Sequence, residues 1–456
     1  MSQLEIDEDN LNNVYTGHLS EVNQSKKVIA TEDIYNAQRV LLVRKGAELD
    51  SRAANKIIQF KLLTPLEQQV AIEDTIDGRK IFAFILKGIG SDTAASSIHN
   101  NLNIEDELRE LCLAYNNYPI LVQKLTVLYN QLPQLFQTAL ITAYVSYIIA
   151  HKMNLDFESK KVVFLAGLCH DFSMLHLDPS LVAKNENFTI EEQKALKVHP
   201  IVGEKILSNV PNLPAGVSHA VLQHHERTDG GGYPRGLWAD KLSIESQILA
   251  FVDSIYSVYR KRLVIHGYTI KELIPVMQMN SSLHFYRVYE AMTMIIRNAQ
   301  LPDKYVVKDE DMPLLIDELL KDFLHFVTRY KAGMPLLRDL PRGTQHRKLN
   351  IANASSDRLY TVISSCGLLL PEYRDWLLRV KEEQLTEEYM DVERAALEHA
   401  EYYWHQHELD EMLAEALTEH PDLDDDIRAR IKDWLALAEQ LNQQREQDRN
   451  FTLPKI

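Results

Sequence analysis

The stretch GLCHDFSMLHLDPSLVAKNENFTIEEQKALKVHPIVGEKIL, residues 167–207, followed by HHERTDGGGYPRGL at 224–237 and ESQILAFVDSIYSV at 245–258, decides how this chain reads. Its apolar positions have helical spacing. In KKVVFLAGLCHD, residues 160–171, Val162, Leu165 and Cys169 recur at three- and four-residue intervals. Against that background stand His170 with Asp171, His199, His224 with His225, and Asp253. Imidazole and carboxylate are the ligand types that iron, manganese and zinc accept. Two such ions about 3.5–4 Å apart, bridged by an aspartate, clamp the attacking and leaving oxygens of a phosphodiester. Taken one at a time, each of these residues reads as a helix cap or a core hydrogen bond. Taken together they read as metal-assisted hydrolysis.

The rest of the composition bounds that reading. A chain of 456 residues is longer than one core usually serves, so several domains are expected. Hydrophobic content of 45% and charged content of 25% are ordinary for a folded soluble protein. A net charge of -16 repels a polyanion, and without a concentrated basic patch duplex nucleic acid is not an expected partner. Only Cys112, Cys169 and Cys366 occur, too few and too far apart for a disulfide framework or a zinc knuckle, which fits a reducing cytoplasm. The acidic start MSQLEIDEDNLNN lacks the basic and apolar regions of a secretory signal. Leu135 to Ala150 is interrupted by Gln137, Thr138, Thr142 and Ser146, so it reads as a buried helix rather than a membrane span.

The expected fold class is mainly α: a helical bundle with a small N-terminal α+β module and a C-terminal helical extension. Residues 1–100 hold β-type runs (KKVIA, RVLLV, QQVAIE) around a helix that Asp50 or Ser51 can cap. Residues 105–300 are helical, with loops at Asp178-Pro179, Pro211 to Gly216 and Asp229 to Gly236. Residues 301–370, punctuated by proline, read as a mixed extension or linker, and 371–456 as an acidic helical region ending in a hairpin. His399, His405, His407 and His420 lie in that last region. Because 405 and 407 face different sides of a helix, no metal site is expected there. Tyr402, Tyr403 and Trp404 are candidates for a partner or homodimer interface, or for the local core.

The quoted runs resemble the HD-GYP branch of the HD phosphohydrolase superfamily, over less than half of the chain. The resemblance implies an HD-type helical bundle in which His170, Asp171, His199, His224, His225 and Asp253 hold divalent metal (iron, manganese or zinc). Asp171 would bridge, and His170 with Asp171 would carry the chemistry. Gly232, Tyr233 and Pro234 form the GYP signature at the substrate rim, on a turn that Gly230 to Gly232 permit through positive φ. Arg262, in the run Arg260-Lys261-Arg262, is the positional match for a phosphate-binding residue. The implied activity is metal-dependent cleavage of cyclic di-GMP or a related cyclic dinucleotide. The alternative is a catalytically silent module that binds cyclic dinucleotide or metal and signals through partner proteins.

Two departures favour that alternative. The family's His-Asp-any-Gly-Lys is here His170, Asp171, Phe172, Ser173, Met174, and methionine brings no charge to a phosphate. Losing one such contact costs about 2.7–4 kcal/mol in a transition state. Upstream, Thr138 stands where the family places a first histidine, so one ion site is expected well formed and the second weakened. His176, in the following loop, is read as a solvent-facing side chain rather than a replacement ligand.

Overall fold

Helices account for most of the computed structural model, which describes residues 8–184, 188–280, 285–338, 340 and 346–448. By its internal packing the chain divides into two units. The first comprises Met1–Glu226, Tyr233–Arg235 and Leu242–Asp253, and the second Arg227–Gly232, Gly236–Lys241 and Ser254–Ile456.

In the first unit α1 (Glu8–Val22) precedes β1 (Val28–Ala30), β2 (Ile34–Tyr35), β3 (Leu41–Val43), α2 (Ser51–Ile58) and β4 (Val70–Ile72). The three β-type runs of the sequence supply β1, β3 and β4. β1 pairs antiparallel with β4, Val28 opposite Ile72, and β2 pairs with β3. Asp50 caps α2 by accepting from the Ala53 amide at 2.8 Å. Helices follow: α3 (Gly78–Ser91), α4 (Thr93–Leu102), α5 (Glu105–Ala114), α6 (Pro119–Gln131), α7 (Pro133–Lys152), α8 (Phe157–Cys169), α9 (Pro179–Val182), α10 (Ile190–Leu196), α11 (His199–Ser208), α12 (Ala215–Gln223) and α13 (Ile244–Val258). Asp178-Pro179, read as a loop, opens α9: proline needs no amide partner in a first turn, and Asp178 accepts from Ser180 N.

From Val162 onward α8 is apolar on every side because it packs against both α7 and α12, burying Val162 to Cys169. Close approach needs Gly167, where a Cβ would lie 2.5 Å from the Ala143 Cα of α7. The apolar stretch 135–150 lies within α7 and is largely buried, with Thr142 and Ser146 fully enclosed. No helix among the described residues is long and apolar enough to cross a membrane.

The second unit contains α14 (Leu273–Met279), α15 (Tyr286–Asn298), α16 (Met312–Arg338), α17 (Arg347–Ser365), α18 (Pro371–Glu383), α19 (Tyr389–Glu419) and α20 (Asp425–Asp448). Where the prolines made 301–370 look mixed, two long helices form. Pro313 falls in the first turn of α16, where a missing amide costs nothing, and Pro335 falls near its end. Gly333 leaves room for Trp434, whose ring would lie 1.9 Å from a Cβ there. Trp434 donates to Asp410, and Arg329 grips the same carboxylate through two contacts of 2.7 Å. Tyr402 is fully buried against Phe326, so it serves the core of this unit.

The first unit holds a cation with no exposed surface. Lys124 on α6 pairs with Glu67 at 3.1 Å, lies 3.9 Å above the Tyr15 ring of α1 and approaches His176 Nε2 at 2.9 Å. His176 is therefore buried, not solvent-facing, because its ring stacks on Tyr15 and bonds the Leu11 carbonyl through Nδ1. Burial first, and Lys124 second, push its pKa down to about 3, so the neutral ring donates from Nδ1 and accepts from the ammonium at Nε2. Burial alone would raise the Glu67 carboxyl, but Lys124 and His176 outweigh it and hold its pKa at about 2. In the unfolded chain His176 takes up a proton below its ordinary pKa of about 6.5. The stability it contributes is thus full above that pH and is lost as pH falls toward 3. At pH 5 the loss is about 2 kcal/mol. His176→Gln is expected to lose less stability than the parent between pH 7.5 and 5.0, by that amount, in urea unfolding of the full chain. Identical pH dependence in the two proteins would refute this account of the ring.

Candidate metal centre

Three imidazoles in the first unit are held by the same device. His170 follows the last residue of α8, His224 follows α12, and His199 lies three residues past the end of α10. Each places Nδ1 on the carbonyl three residues earlier: His170 on Gly167 at 2.8 Å, His199 on Leu196 at 2.7 Å, His224 on Val221 at 2.5 Å. Those carbonyls belong to last turns, which have no intrahelical donor. The bond fixes the tautomer, with the proton on Nδ1 and the Nε2 lone pair turned away from the helix.

Those lone pairs converge. His199 Nε2 lies 3.1 Å from His224 Nε2 and 3.1 Å from His225 Nε2, and one donor atom from each of the three rings falls within 4.8 Å of the others. Two unprotonated nitrogens at 3.1 Å repel unless a cation or proton lies between them. His170 Nε2 is buried without a hydrogen-bond partner. A polar atom so placed is costly unless it ligates something. The donor set therefore fits a divalent transition ion, and the helix C-termini behind His170 and His224 add negative potential that favours one.

The carboxylates complete the geometry. Asp171 turns Oδ2 toward His170 Nε2 at 3.4 Å and Oδ1 toward His199 Nε2 at 3.7 Å, so its two oxygens face different imidazoles. Asp253, on α13, lies 3.9 Å from His170 Nε2 and 3.5 Å from His225 Nδ1. Burial pushes His224 down to about 3, with His199 and His170 adding to the effect, and burial likewise lowers His199. Both rings are neutral and able to ligate near neutral pH. Burial would raise the Asp171 carboxyl, but His170, His199 and His224 together bring it below its ordinary value.

Tyr233 stacks on His225 with ring centroids 4.7 Å apart, its amide donates to the His225 carbonyl, and Lys197 Nζ lies 5.7 Å from its ring. The Tyr233-Pro234 bond is cis. Positive φ falls at Gly230 and Gly236, not at Gly231 or Gly232 as the triple glycine suggested. The reason is tertiary. Arg347, at the start of α17, donates to the Gly230 carbonyl and fills the space a Gly236 Cβ would need, 1.1 Å from its Nη2. Asp229 is buried, accepts from Gly231 N at 2.8 Å and pairs with Arg358 of α17 at 2.5 Å. Gly232 and these loop residues belong to the second unit.

Six sequence-selected metal candidates thus meet around one point of the first unit, and Tyr233 borders it. Arg262 belongs to the second unit, where its guanidinium pairs with buried Glu401 at 2.8 Å and lines a small cavity with Arg227, Asn280 and Trp404. Thr138 bonds the Gln134 carbonyl of its own helix, and Met174 is half-buried in the 3-10 turn Phe172–His176. Sequence reading passed over Lys124. Its one signal was a charge at helical core spacing between Leu121, Leu125 and Leu128.

A family model described as "HD domain" matches residues 117–287. This segment is an HD domain. The HD domain is similar to "Cyclic di-GMP phosphodiesterase response regulator RpfG" of Xanthomonas campestris pv. campestris, 31% identical over 112 residues, 24% of this chain and 30% of that protein. It is 34% identical over 116 residues to "Cyclic di-GMP phosphodiesterase" of Thermotoga maritima, 25% of this chain and 31% of that one. To "3'3'-cGAMP-specific phosphodiesterase 1" of Vibrio cholerae it is 27% identical over 143 residues, 31% of this chain and 33% of that one. The chain spans about a third of the length of these curated relatives. Among solved structures, a HDG"Y"P protein from Bdellovibrio bacteriovorus aligns over 60% of this chain and 94% of that one, at a TM-score of 0.32 and 15% identity.

Within the HD domain, Gly167 serves twice: it admits α7, and its carbonyl orients His170. Gly167→Ala is expected to cost about 1–3 kcal/mol through overpacking, and to lower the manganese or iron retained per chain by displacing His170. Metal analysis of the purified variant at unchanged metal content would contradict this double role.

Proposed function

We propose that this chain is a metal-dependent phosphodiesterase of the HD-GYP type acting on cyclic di-GMP or a related cyclic dinucleotide. The observation that carries the reading is the convergence of the His199, His224 and His225 nitrogens beside Asp171, whose two oxygens face His199 and His170. The names of the relatives supply the substrate class. A divalent ion held there supplies Lewis acidity and neutralises charge at the phosphate.

The chain's own residues do the rest. His199, His224 and His225 would hold one ion, and Asp171 would stand between it and a second position lined by His170 and Asp253. Tyr233, fixed on His225, offers an aromatic face and a hydroxyl at the rim, suited to a ligand with flat bases and phosphates. Hydrolysis adds water across one P–O ester bond, leaving a terminal phosphate on one nucleotide and a free hydroxyl on the other. With Met174 in place of a lysine and Thr138 in place of a histidine, the second position is the weaker one and the rate is low.

The test supplies iron, manganese or zinc separately to the metal-free full chain and follows cleavage of cyclic di-GMP and 3'3'-cGAMP, with Asp171→Ala as the inactive control. Cleavage in at least one metal state is expected. Binding without cleavage in all of them would replace this proposal with a silent receptor. Met174→Lys combined with Thr138→His is expected to raise kcat by about tenfold to a hundredfold, and no gain would show that these departures do not limit the rate.

A further inference from the structure

We propose that His346, His420 and Asp422 form a second divalent transition-metal site, within the second unit, that ties the start of α17 to the turn between α19 and α20. One donor atom from each residue lies within 4.8 Å of the others. The two imidazole rings are 4.5 Å apart by centroid, and His346 Nε2 is 3.8 Å from Asp422 Oδ2. The donors come from three separate backbone positions. His346 immediately precedes α17, His420 follows the last residue of α19, and Asp422 sits in the connecting turn.

Zinc binds imidazole and carboxylate at about 2.0–2.2 Å in a tetrahedron, which puts neighbouring donors about 3.4 Å apart. Closing from separations within 4.8 Å takes at most about 1.4 Å of side-chain movement. Two imidazoles and one carboxylate select zinc, cobalt or nickel over magnesium or calcium, which prefer oxygen throughout. The fourth position opens to water, since Asp422 is 72% exposed while the His346 side chain is 19% exposed. Lys348, two residues after His346, is paired with Glu415 and Glu419, which offset its charge. The negative chain as a whole attracts one. The next residue, Arg347, holds the Gly230 carbonyl and fills the space beside Gly236, so an ion that fixes the first turn of α17 also steadies that grip.

The test titrates the metal-free full chain with Zn²⁺ by calorimetry and counts bound zinc by elemental analysis after gel filtration. H346A combined with H420A is expected to remove one equivalent and leave the remainder bound. The H199A, H224A and H225A triple variant is expected to do the converse, losing the histidine centre and keeping this equivalent. Asp422→Asn, at an exposed position the fold tolerates, is expected to weaken the same equivalent at least tenfold with an unchanged circular dichroism spectrum. The proposal is overturned by wild-type stoichiometry in the folded double variant, or by unchanged zinc affinity in Asp422→Asn. The first result leaves the phosphodiesterase reading intact, because that reading depends only on the centre in the first unit.

Discussion

The bond from a histidine Nδ1–H to the carbonyl three residues back is the constraint on which the candidate metal centre depends. A helix ends with carbonyls that have no donor of their own. His170, His199 and His224 each meet one of those carbonyls with the ring nitrogen nearer the backbone, which leaves the farther nitrogen unprotonated and aimed away from the helix. Three separate helix ends thereby present three oriented donor nitrogens without further side chains to hold them. Asp171 and Asp253 then need only lie among the rings, and each does so between two of them.

Keeping those helix ends in register requires a rigid bundle behind them. Gly167 brings α8 against α7 at backbone contact, and the Lys124 cluster fastens the turn that follows Asp171. The turn Phe172–His176 is bound from two sides: His176 accepts from Lys124 and stacks on Tyr15 of α1. A buried ammonium is costly to desolvate, and it persists here because Glu67, the neutral His176 ring and the face of Tyr15 all contact it. The N-terminal helix therefore contributes to holding the segment that carries the Gly-Lys departure of the HD motif.

The second unit solves a different problem. Its long helices carry many charges inward and neutralise them pairwise: Arg329 on Asp410, Arg445 on Asp322, Arg262 on Glu401 and Arg358 on Asp229. Arg445 and His399 overcome the burial of Asp322, which by itself would raise that carboxyl, and hold it well below the carboxylate range. Such pairs add geometric specificity more than net stability, because desolvation offsets most of their attraction. Arg358 of α17 thereby holds Asp229, and Arg347 at the start of the same helix holds the Gly230 carbonyl, beside the two glycines, Gly230 and Gly236, that adopt positive φ.

Much of this was legible in the residues alone. The helical period of 160–171, the β-type runs that became β1, β3 and β4, and the six metal candidates all follow local rules of spacing and side-chain chemistry. Proline misled between 301 and 370, since its effect depends on whether it falls in a helix's first turn or its interior. His176 misled for another reason: its partner Lys124 lies 52 positions away and leaves no periodic mark, as does Glu401, the partner of Arg262, 139 positions on. His420 likewise finds its neighbour in His346, not in the nearby histidines whose spacing argued against a site. By itself the sequence determined which groups can ligate and which segments coil, because both follow from the chemistry of neighbours along the chain. Only the tertiary structure decided which lone pairs face one another and which charges are already paired, because those depend on side chains that meet through space after the helices pack.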